Sequence, residues 1–555
     1  MQIIQFTITF ILIFTTFYSY GLLLSKKIYN IKETDIFFNI LIGYVFIGTL
    51  TVIFHFFFRI NNIFSIILII GALIVLSFYY AKIDKLKILI SIFTIIIFSI
   101  ISFGYSEHPI DSNMYHHPYV SYLKSEKIIF AIANIQFRFG HISFLQYVQS
   151  ALTNDYLHEI SLASINIIFY ICFILFISKE IFQTKNFSLN FLIQILFTSF
   201  LLIKLARYRE YGNDLIPLLV CIYFLIQILK INKDYSLSKQ NLINLSLPFA
   251  AFMFTHKISY TFAFLIFVPL FNFSKINFFT RKNFFHLIIF SIIIIPWLAK
   301  NYIVTSCLVY PIELSCFSNS FYELQGLAKP SSASWLTEIW AKGFVDHPNW
   351  QELNLKEYAS GFNWVPTWLS GHFIKILEII SPLLFIIFLF TFYLLFNKKE
   401  YFQKRTKTNI YKNYLYLWFA ISLGLFIWFY KAPIFRYGSF YVISIVILSY
   451  ILILNFFLEF KKSTNLRFFK IIFLICLLFF VVKNSLRIYR SDHQFFPKTF
   501  FYENLREFSI PNNDELKLLK PKHSGLCYYT KSICSHETPE GIKTKKIGNY
   551  YILMQ

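Results

Sequence analysis

The sequence predicts an all-α fold, a polytopic integral membrane protein with about 12–14 transmembrane helices. Three observations support this prediction. Hydrophobic residues make up 57% of the 555 residues, whereas charged residues make up only 14%. The mean hydropathy is +0.58, and apolar runs of about 17–25 residues, the length that crosses a bilayer as a helix, recur to about residue 486. A water-soluble fold of this length has too small an interior for so much apolar surface.

The apolar runs divide the chain into a membrane domain, residues 1–485, and a C-terminal tail, residues 486–555. The first run lacks the cleavage site of a secretory signal, so we expect it to be retained as a span. The break Thr255-His256-Lys257 is also compatible with one re-entrant element in place of the eighth and ninth spans. The predicted spans are at residues 2–24, 36–58, 62–80, 87–104, 162–178, 189–204, 214–229, 241–255, 259–273, 284–302, 371–396, 413–430, 439–460 and 469–485.

Lysine and arginine predict the orientation, because they concentrate in alternate connections, for example at Lys26, Lys179, Lys230 and residues 398–412. The positive-inside rule assigns these connections to the cytoplasm, and it explains the net charge of +23 without nucleic-acid binding. Both termini are then outside, in the periplasm of a bacterial inner membrane. Three long segments share that outer side: about 105–161, about 303–370, and the tail.

The four cysteines of the outer segments form two close pairs, Cys307 with Cys316 and Cys527 with Cys534. Such pairs indicate disulfides in an oxidising compartment, although unpaired thiols that cluster by chance are the alternative. The other three cysteines lie inside predicted spans, where the thiol behaves as a small apolar group.

The richest polar stretch, residues 107–119, directly follows the fourth predicted span and holds Asp111, His116 and His117. Carboxylates and imidazoles at a membrane surface can supply a general base, metal ligands or phosphate contacts. Asp111 is our choice for the base, whereas the two adjacent histidines point apart if the stretch is extended. A solvated loop with incidental histidines is the alternative interpretation.

Several cations lie on the outer side against the positive-inside bias, which predicts an anionic partner. Arg138, Arg209, Lys257 and Arg436 are the candidates for binding a phosphate or other substrate group, with Asp214 nearby in sequence to Arg209. Internal ion pairs and snorkelling of Lys257 are the alternatives. Five tryptophans of the outer loop can stack on sugars or anchor an interfacial helix: Trp335, Trp340, Trp350, Trp364 and Trp368.

With these residues, the sequence resembles a group of bacterial polytopic membrane proteins related in layout to the GT-C superfamily of lipid-linked-sugar glycosyltransferases. The resemblance rests on the stretches IDSNMYHHPYV with FRFGHISF, REYGNDLIP, THKIS, PWLAKNYIVTSCLVYPIELSCF and FYKAPIFRYGSF. It implies a helical core with an outer-face cavity and transfer of a sugar from a polyprenyl-phosphate carrier to a cell-surface glycan. GT-C enzymes usually carry the acidic residue after the first span, whereas here the acidic loop follows the fourth.

The mechanism expected from this resemblance is direct displacement at the anomeric carbon, with Asp111 as base and the four cations stabilising the departing phosphate. A divalent metal near Asp111 or His116 is compatible with the residues, although the sequence does not require one. The rival functions are an O-antigen-type polymerase or ligase, a lipid-linked-glycan transporter or flippase, and a structural role. No Walker motif, dinucleotide fingerprint, nucleophile elbow or zinc-protease signature is present.

Overall fold

The computed structural model describes most of the membrane domain, together with parts of the tail. The fourth predicted span, residues 87–104, lies largely outside the described residues, and so do residues 205–211. The described residues are 2–31, 34–79, 93–94, 96–97, 111–154, 157, 160–204, 212–230, 239–271, 281–318, 322–403, 410–457, 459–460, 465–490, 505–510, 513–522, 526–530, 532–537, 539 and 541–554.

The chain is mainly helical. The α-helices are α1 Gln2–Lys27, α2 Ile36–His55, α3 Asn62–Tyr79, α4 His117–Ser125, α5 Phe144–Leu152, α6 Ile160–Gln183, α7 Leu189–Ile203, α8 Leu215–Leu229, α9 Lys239–His256, α10 Arg281–Thr305, α11 Pro330–Ala341, α12 Leu355–Ala359, α13 Val365–Trp368, α14 Ile374–Phe396, α15 Lys398–Tyr401, α16 Ile410–Lys431, α17 Phe435–Phe457 and α18 Arg467–Arg490. A long 3-10 helix, Ile258–Leu270, follows α9 after the break at Lys257, and two π-helical turns, Ser112–His116 and Leu369–Phe373, precede α4 and α14.

Nine helical segments of the described residues are long and apolar enough to cross a membrane. They coincide with nine of the predicted spans, and three shorter apolar helices, α7, α8 and the 3-10 helix, coincide with three more. The prediction of a multi-pass, mainly α-helical membrane protein is therefore confirmed at this level. The larger number of about 12–14 spans remains a prediction.

Contacts between chain segments define two ends of the helix bundle. At one end, Lys230 forms an ion pair with Glu180, and the Tyr223 hydroxyl donates to Asp35 at 2.7 Å. At the other end, which we call the loop end, residues 111–154 lie together with the described parts of residues 306–373 and of the tail. The Tyr550 hydroxyl, for example, donates to the Phe56 carbonyl at 3.0 Å, just beyond the end of α2. Lys230, which belongs to a basic connection that the sequence assigns to the cytoplasm, therefore lies at the end opposite the loops.

Helices α1 and α2 approach each other closely because glycine lies at the contact. A Cβ on Gly21 would lie 1.7 Å from the Asn39 carbonyl oxygen, and one on Gly43 would lie 2.0 Å from that of Phe17. No side chain fits at these distances, so the two backbones pack directly against each other, as small residues allow in membrane helices. The α1–α2 pair contacts α6 and, through α2, the loop-end helix α5.

The tail departs from the all-α prediction, because its described residues form short strands. The strand Leu505–Ile510 pairs antiparallel with the strand Asn513–Pro521, which pairs in parallel with Ile533–Cys534. A hairpin of Lys543–Ile547 with Tyr550–Met554 follows. A further two-residue pairing joins Phe402–Gln403 to Glu459–Phe460 at the opposite end. These strands lie in a part of the sequence that has no apolar run of membrane-spanning length.

Both cysteine pairs of the outer segments are disulfide-bonded, Cys307 to Cys316 and Cys527 to Cys534. The other three cysteines are free and buried. The second disulfide lies on the π-helical turn at the loop end, because the backbone N–H groups of Cys527 and Tyr528 both donate to the Asn113 carbonyl, at 3.0 and 2.9 Å. The tail therefore contacts the polar stretch that the sequence singles out.

Candidate functional site

The polar stretch that begins at Asp111 is helical, not extended. Asp111 has helical backbone angles (φ −53°, ψ −38°) and precedes the π-helical turn Ser112–His116, which continues into α4. The extended conformation in which His116 and His117 would point apart is therefore not the one that these residues adopt. A π-helical turn interrupts the regular α-helical hydrogen bonds and often marks a functional position.

Asp111 binds Arg436, the second residue of α17. Its Oδ2 accepts a hydrogen bond from Arg436 Nη1 at 2.9 Å, and the two side chains keep 36% and 43% of their surfaces exposed. The guanidinium also lies 5.2 Å from the ring centroid of Tyr437. A carboxylate held by one edge of a guanidinium keeps oxygen lone pairs available, and Arg436 keeps further N–H donors. Both groups therefore remain able to contact a ligand.

His116 and His117 are buried and have different partners. Gln146, whose Oε1 is bound to Ser143, donates through Nε2 to His116 Nδ1 at 2.8 Å. His117 Nδ1 lies 3.2 Å from Asn113 Oδ1. Burial is the main cause that lowers the pKa of His116 to about 3, with smaller contributions from the positive charges of Arg436 and Lys257 and an opposing one from Asp111. His116 is therefore neutral at physiological pH, when it can accept or donate a hydrogen bond but carries no charge.

Arg138 is held by the tail. Its Nη1 donates to Glu537 Oε1 at 2.7 Å, and its guanidinium lies 5.6 Å from the ring centroid of Tyr115, which neighbours His116. The ion pair joins residues 399 positions apart in the sequence. A carboxylate of the tail thus occupies the position of the anion that the sequence predicted for Arg138, and its role toward phosphate stays a prediction.

Lys257 forms an ion pair with Asp214, and its ammonium lies 4.1 Å from the ring centroid of Tyr437. Both partners are largely buried, with 11% and 17% of their side chains exposed. Tyr437 thus lies close to both Lys257 and Arg436, so the two cations are neighbours at one ring. Arg209, which the sequence placed with them, lies outside the described residues.

A cavity of about 530 Å³ opens beside the Asp111–Arg436 and Lys257–Asp214 ion pairs. Arg436 and Asp214 lie in its wall, so the Asp111–Arg436 contact is at its edge. Its described lining contains five basic side chains and two acidic ones: Lys204, Lys375, Arg436, Lys483 and Arg487, with Asp214 and Glu378. An excess of basic groups in a cavity favours an anionic ligand.

Four of these cations, Lys204, Lys375, Lys483 and Arg487, were missed by the sequence reasoning. Lys483 and Arg487 are four residues apart on α18, so they lie on the same helix face, and this spacing was visible in the sequence. Lys375 and Lys204 lie at ends of other helices, where such residues are usual and carry no specific signal. Only the packing of α14, α17 and α18 against α7 brings them together.

The tryptophans divide into two groups. Trp364 and Trp368 are buried, with ring centroids 6.3 Å apart, and the Trp368 indole N–H donates to the Pro433 carbonyl at 2.7 Å. Trp340 and Trp350 are exposed. The buried pair therefore fixes residues 364–368 against the turn that precedes Arg436, whereas Trp340, Trp350 and the partly exposed Trp335 are accessible to sugars or to a membrane surface.

Among the described residues, no group of three or more His, Cys, Asp or Glu side chains is placed to hold a metal ion. Asp111 is bound to Arg436, and His116 is bound to Gln146. Glu107 and His108 of the same polar stretch lie outside the described residues. The described residues therefore do not by themselves form a divalent-metal site.

Comparison with known proteins gives one match. A family described as a domain of unknown function (DUF8201) matches residues 3–443, which include Asp111, Asp214, Lys257 and Arg436. No curated protein and no solved structure matches the chain.

Proposed function

The chain belongs to the family of domains of unknown function DUF8201, and from its site we propose that it is a membrane glycosyltransferase that transfers a sugar from a polyprenyl-phosphate carrier to a cell-surface glycan. One observation carries the proposal. A half-exposed carboxylate, Asp111, is bound to Arg436 at the edge of a cation-lined cavity at one end of the membrane helices. A base beside an anion site is the arrangement that displacement of a lipid phosphate requires.

In the proposed reaction, Asp111 accepts the proton of the acceptor hydroxyl as its oxygen forms a bond to the anomeric carbon of the donor sugar. The bond from that carbon to the phosphate oxygen breaks, and its electron pair leaves with the lipid phosphate. Arg436 holds the Asp111 carboxylate on one side and faces the cavity on the other. It can therefore orient the base and stabilise the leaving group with separate N–H donors.

In this proposal, the other residues of the site hold Asp111 and Arg436 in place. Neutral His116 offers a hydrogen bond without adding charge next to Asp111. The Tyr437 ring packs beside the Arg436 guanidinium and is itself contacted by Lys257. Arg138 connects the polar turn to the tail through Glu537. The proposed reaction face is the periplasmic side, on which the positive-inside rule places the loop end.

The test compares a deletion strain complemented with wild type, with Asp111→Asn, or with Asp346→Asn. Asp346 is a matched control, since it is also a loop-end aspartate but pairs with His372. Mass spectrometry of surface glycans and lipid-linked intermediates should show loss of one sugar with Asp111→Asn at normal abundance, and no change with Asp346→Asn. If the Asp111→Asn variant still transfers the sugar, Asp111 is not the general base.

Three other outcomes would replace the proposal. Accumulation of a complete glycan on its lipid carrier at the outer face would indicate a polymerase or ligase, since these transfer preassembled chains. Accumulation of the same lipid-linked glycan at the cytoplasmic face would indicate a flippase. An unchanged glycome with reduced abundance of both aspartate variants would indicate a structural role.

A further inference from the structure

Two exposed tryptophans of the loop end belong to one row of aromatic rings. Trp340, in the last turn of α11, lies 5.2 Å from Phe344 between ring centroids, and Phe344 lies 6.4 Å from Trp350. Trp340 and Trp350 keep 51% and 44% of their surfaces exposed, whereas Phe344 is partly buried and contacts both. We call these three residues the aromatic row.

The backbone on each side of Phe344 holds the row in place. Gly343 adopts the left-handed conformation (φ +77°) directly after α11, which reverses the chain and brings Phe344 back against Trp340. The backbone N–H of Trp350 donates to the His347 carbonyl at 3.1 Å and so closes a turn. Because the rings are positioned before a ligand arrives, binding costs little conformational entropy.

The exposed indoles carry hydrogen-bond donors that the fold does not use. The indole N–H groups of the buried Trp364 and Trp368 donate to backbone carbonyls. Within the described part of the chain, the indole N–H groups of Trp340 and Trp350 have no acceptor. Each exposed indole therefore offers an apolar face and a free donor. A sugar ring needs both, because it has an apolar C–H face and hydroxyl groups at its edge.

The surface around the row is polar and is not basic. Residues 347–357 expose two carboxylates, those of Glu352 and Glu357, against one ammonium group, that of Lys356. The same residues also expose three amide side chains: Asn349, Gln351 and Asn354. Segments that lie on an anionic membrane surface are instead rich in lysine and arginine. The composition here favours a neutral polyol over a lipid surface.

The row is attached to the segment that carries Arg436. Glu338, two residues before Trp340 on α11, forms an ion pair with Lys431 at 3.6 Å. Lys431 ends α16, and the short turn after it leads into α17 and to Arg436. A ligand on the row therefore lies against the chain segment that positions the cation of the proposed site.

These observations together indicate a carbohydrate site. We propose that Trp340 and Trp350 bind the glycan acceptor, with sugar rings stacked on the indoles and hydroxyl groups bound to the indole N–H groups and to Asn349. The proposal rests on the proposed function for the role of this glycan as acceptor, and it adds where the acceptor is held. Two indoles of one row contact two sugar rings of one chain, so an oligosaccharide binds more tightly than its monosaccharides.

The test measures glycan binding to the purified full chain in nanodiscs by isothermal titration calorimetry. The probe is the oligosaccharide that mild acid releases from the surface glycan of the deletion strain. Trp340→Ala with Trp350→Ala should lower the affinity about tenfold or more. Trp340→Tyr with Trp350→Tyr should keep most of the affinity, because a phenol retains an aromatic face.

The matched control is Trp335→Ala, which should bind the oligosaccharide as wild type does. Trp335 lies five positions before Trp340 and therefore on another face of α11. Melting temperature establishes that all variants are folded. In nanodiscs that contain brominated lipid, removal of Trp340 and Trp350 should leave the quenched part of the tryptophan fluorescence unchanged.

Three results would overturn the proposal. The first is an absence of oligosaccharide binding by wild type, and the second is unchanged affinity in the folded double alanine variant. The third is a smaller quenched fluorescence in that variant, which would show that Trp340 and Trp350 lie in the bilayer. Tryptophan-dependent glycan binding by a protein that transfers no sugar refutes the proposed function alone. Normal transfer with unchanged affinity in the double variant refutes this proposal alone.

Discussion

Asp111 and Arg436 are 325 residues apart in the sequence, yet the carboxylate accepts a hydrogen bond from the guanidinium at 2.9 Å. One lies before the π-helical turn of the loop end and the other opens α17. Because an ion pair with this exposure contributes only about 0–1 kcal/mol to stability, its geometry matters more for the site than for folding.

Exchange of the two charges separates a structural role from a catalytic one. The swap Asp111→Arg with Arg436→Asp should restore the abundance lost in either single variant, because opposite charges again face each other. Transfer should stay below wild type by about 100-fold or more, since the base has moved to the cavity wall. Quantitative immunoblotting and mass spectrometry of the glycan measure the two effects. Recovery of transfer by the swap would show that the pair acts only as a structural link.

The Lys257–Asp214 pair should be important for stability. Lys257→Met leaves Asp214, 17% exposed, without its ammonium, and we expect a loss of about 1–2 kcal/mol. Lys257→Met with Asp214→Asn should recover most of this loss, because neither charge is then left alone. Thermal unfolding in nanodiscs measures the effect. Equal melting temperatures of the single and double variants would contradict a direct interaction.

The tail disulfide should affect activity more than the disulfide of the other loop. Cys527→Ser with Cys534→Ser frees the segment that donates two backbone hydrogen bonds to Asn113, two residues from Asp111. We expect a loss of about 2 kcal/mol in stability and a lower rate of transfer. Cys307→Ser with Cys316→Ser, the control, removes a disulfide without loss of the Asn113 contacts. A transfer rate that falls equally in both variants would contradict a positioning role for the tail.

Acidification should destabilise the loop end. Burial lowers the pKa of His116 to about 3, and burial together with Arg138 lowers that of His141 to about 4, from an ordinary value of 6.5. Between pH 6.5 and 4 the unfolded chain therefore binds protons that the folded chain does not, so stability falls as the pH falls through this range. His141→Phe keeps the ring beside Tyr310 and removes the titration. Its melting temperature should vary less between pH 7.5 and about 5 than that of wild type, and identical slopes would contradict the assignment.

The orientation in the membrane can be tested by cysteine labelling. Glu352 at the loop end and Lys185 at the opposite end are both exposed, and the three native free cysteines are buried. A membrane-impermeant maleimide should label Glu352→Cys in spheroplasts and label Lys185→Cys only after permeabilisation, as the positive-inside rule predicts. The reverse pattern would place the proposed reaction in the cytoplasm.

The sequence by itself determined the membrane class and most of the helices. Hydropathy over about 20 residues is a local property, so α1, α2 and the other long helices follow from their own residues. The close cysteine pairs were also visible, because each pair is separated by fewer than ten residues. The strands of the tail could not be predicted from the sequence, because the tail has no strongly periodic segment that marks them.

Only the tertiary structure decided which charges meet. The sequence grouped Arg138, Lys257 and Arg436 around one phosphate, whereas the fold pairs them with Glu537, Asp214 and Asp111. It also brings Lys204 and Lys375 to the same cavity as Lys483 and Arg487, although only the last two are connected by a local pattern. Ion pairs and cavities depend on which helix ends adjoin, and that is set by packing between segments hundreds of residues apart. Hydropathy fixes where the chain crosses the membrane but not which crossings are neighbours.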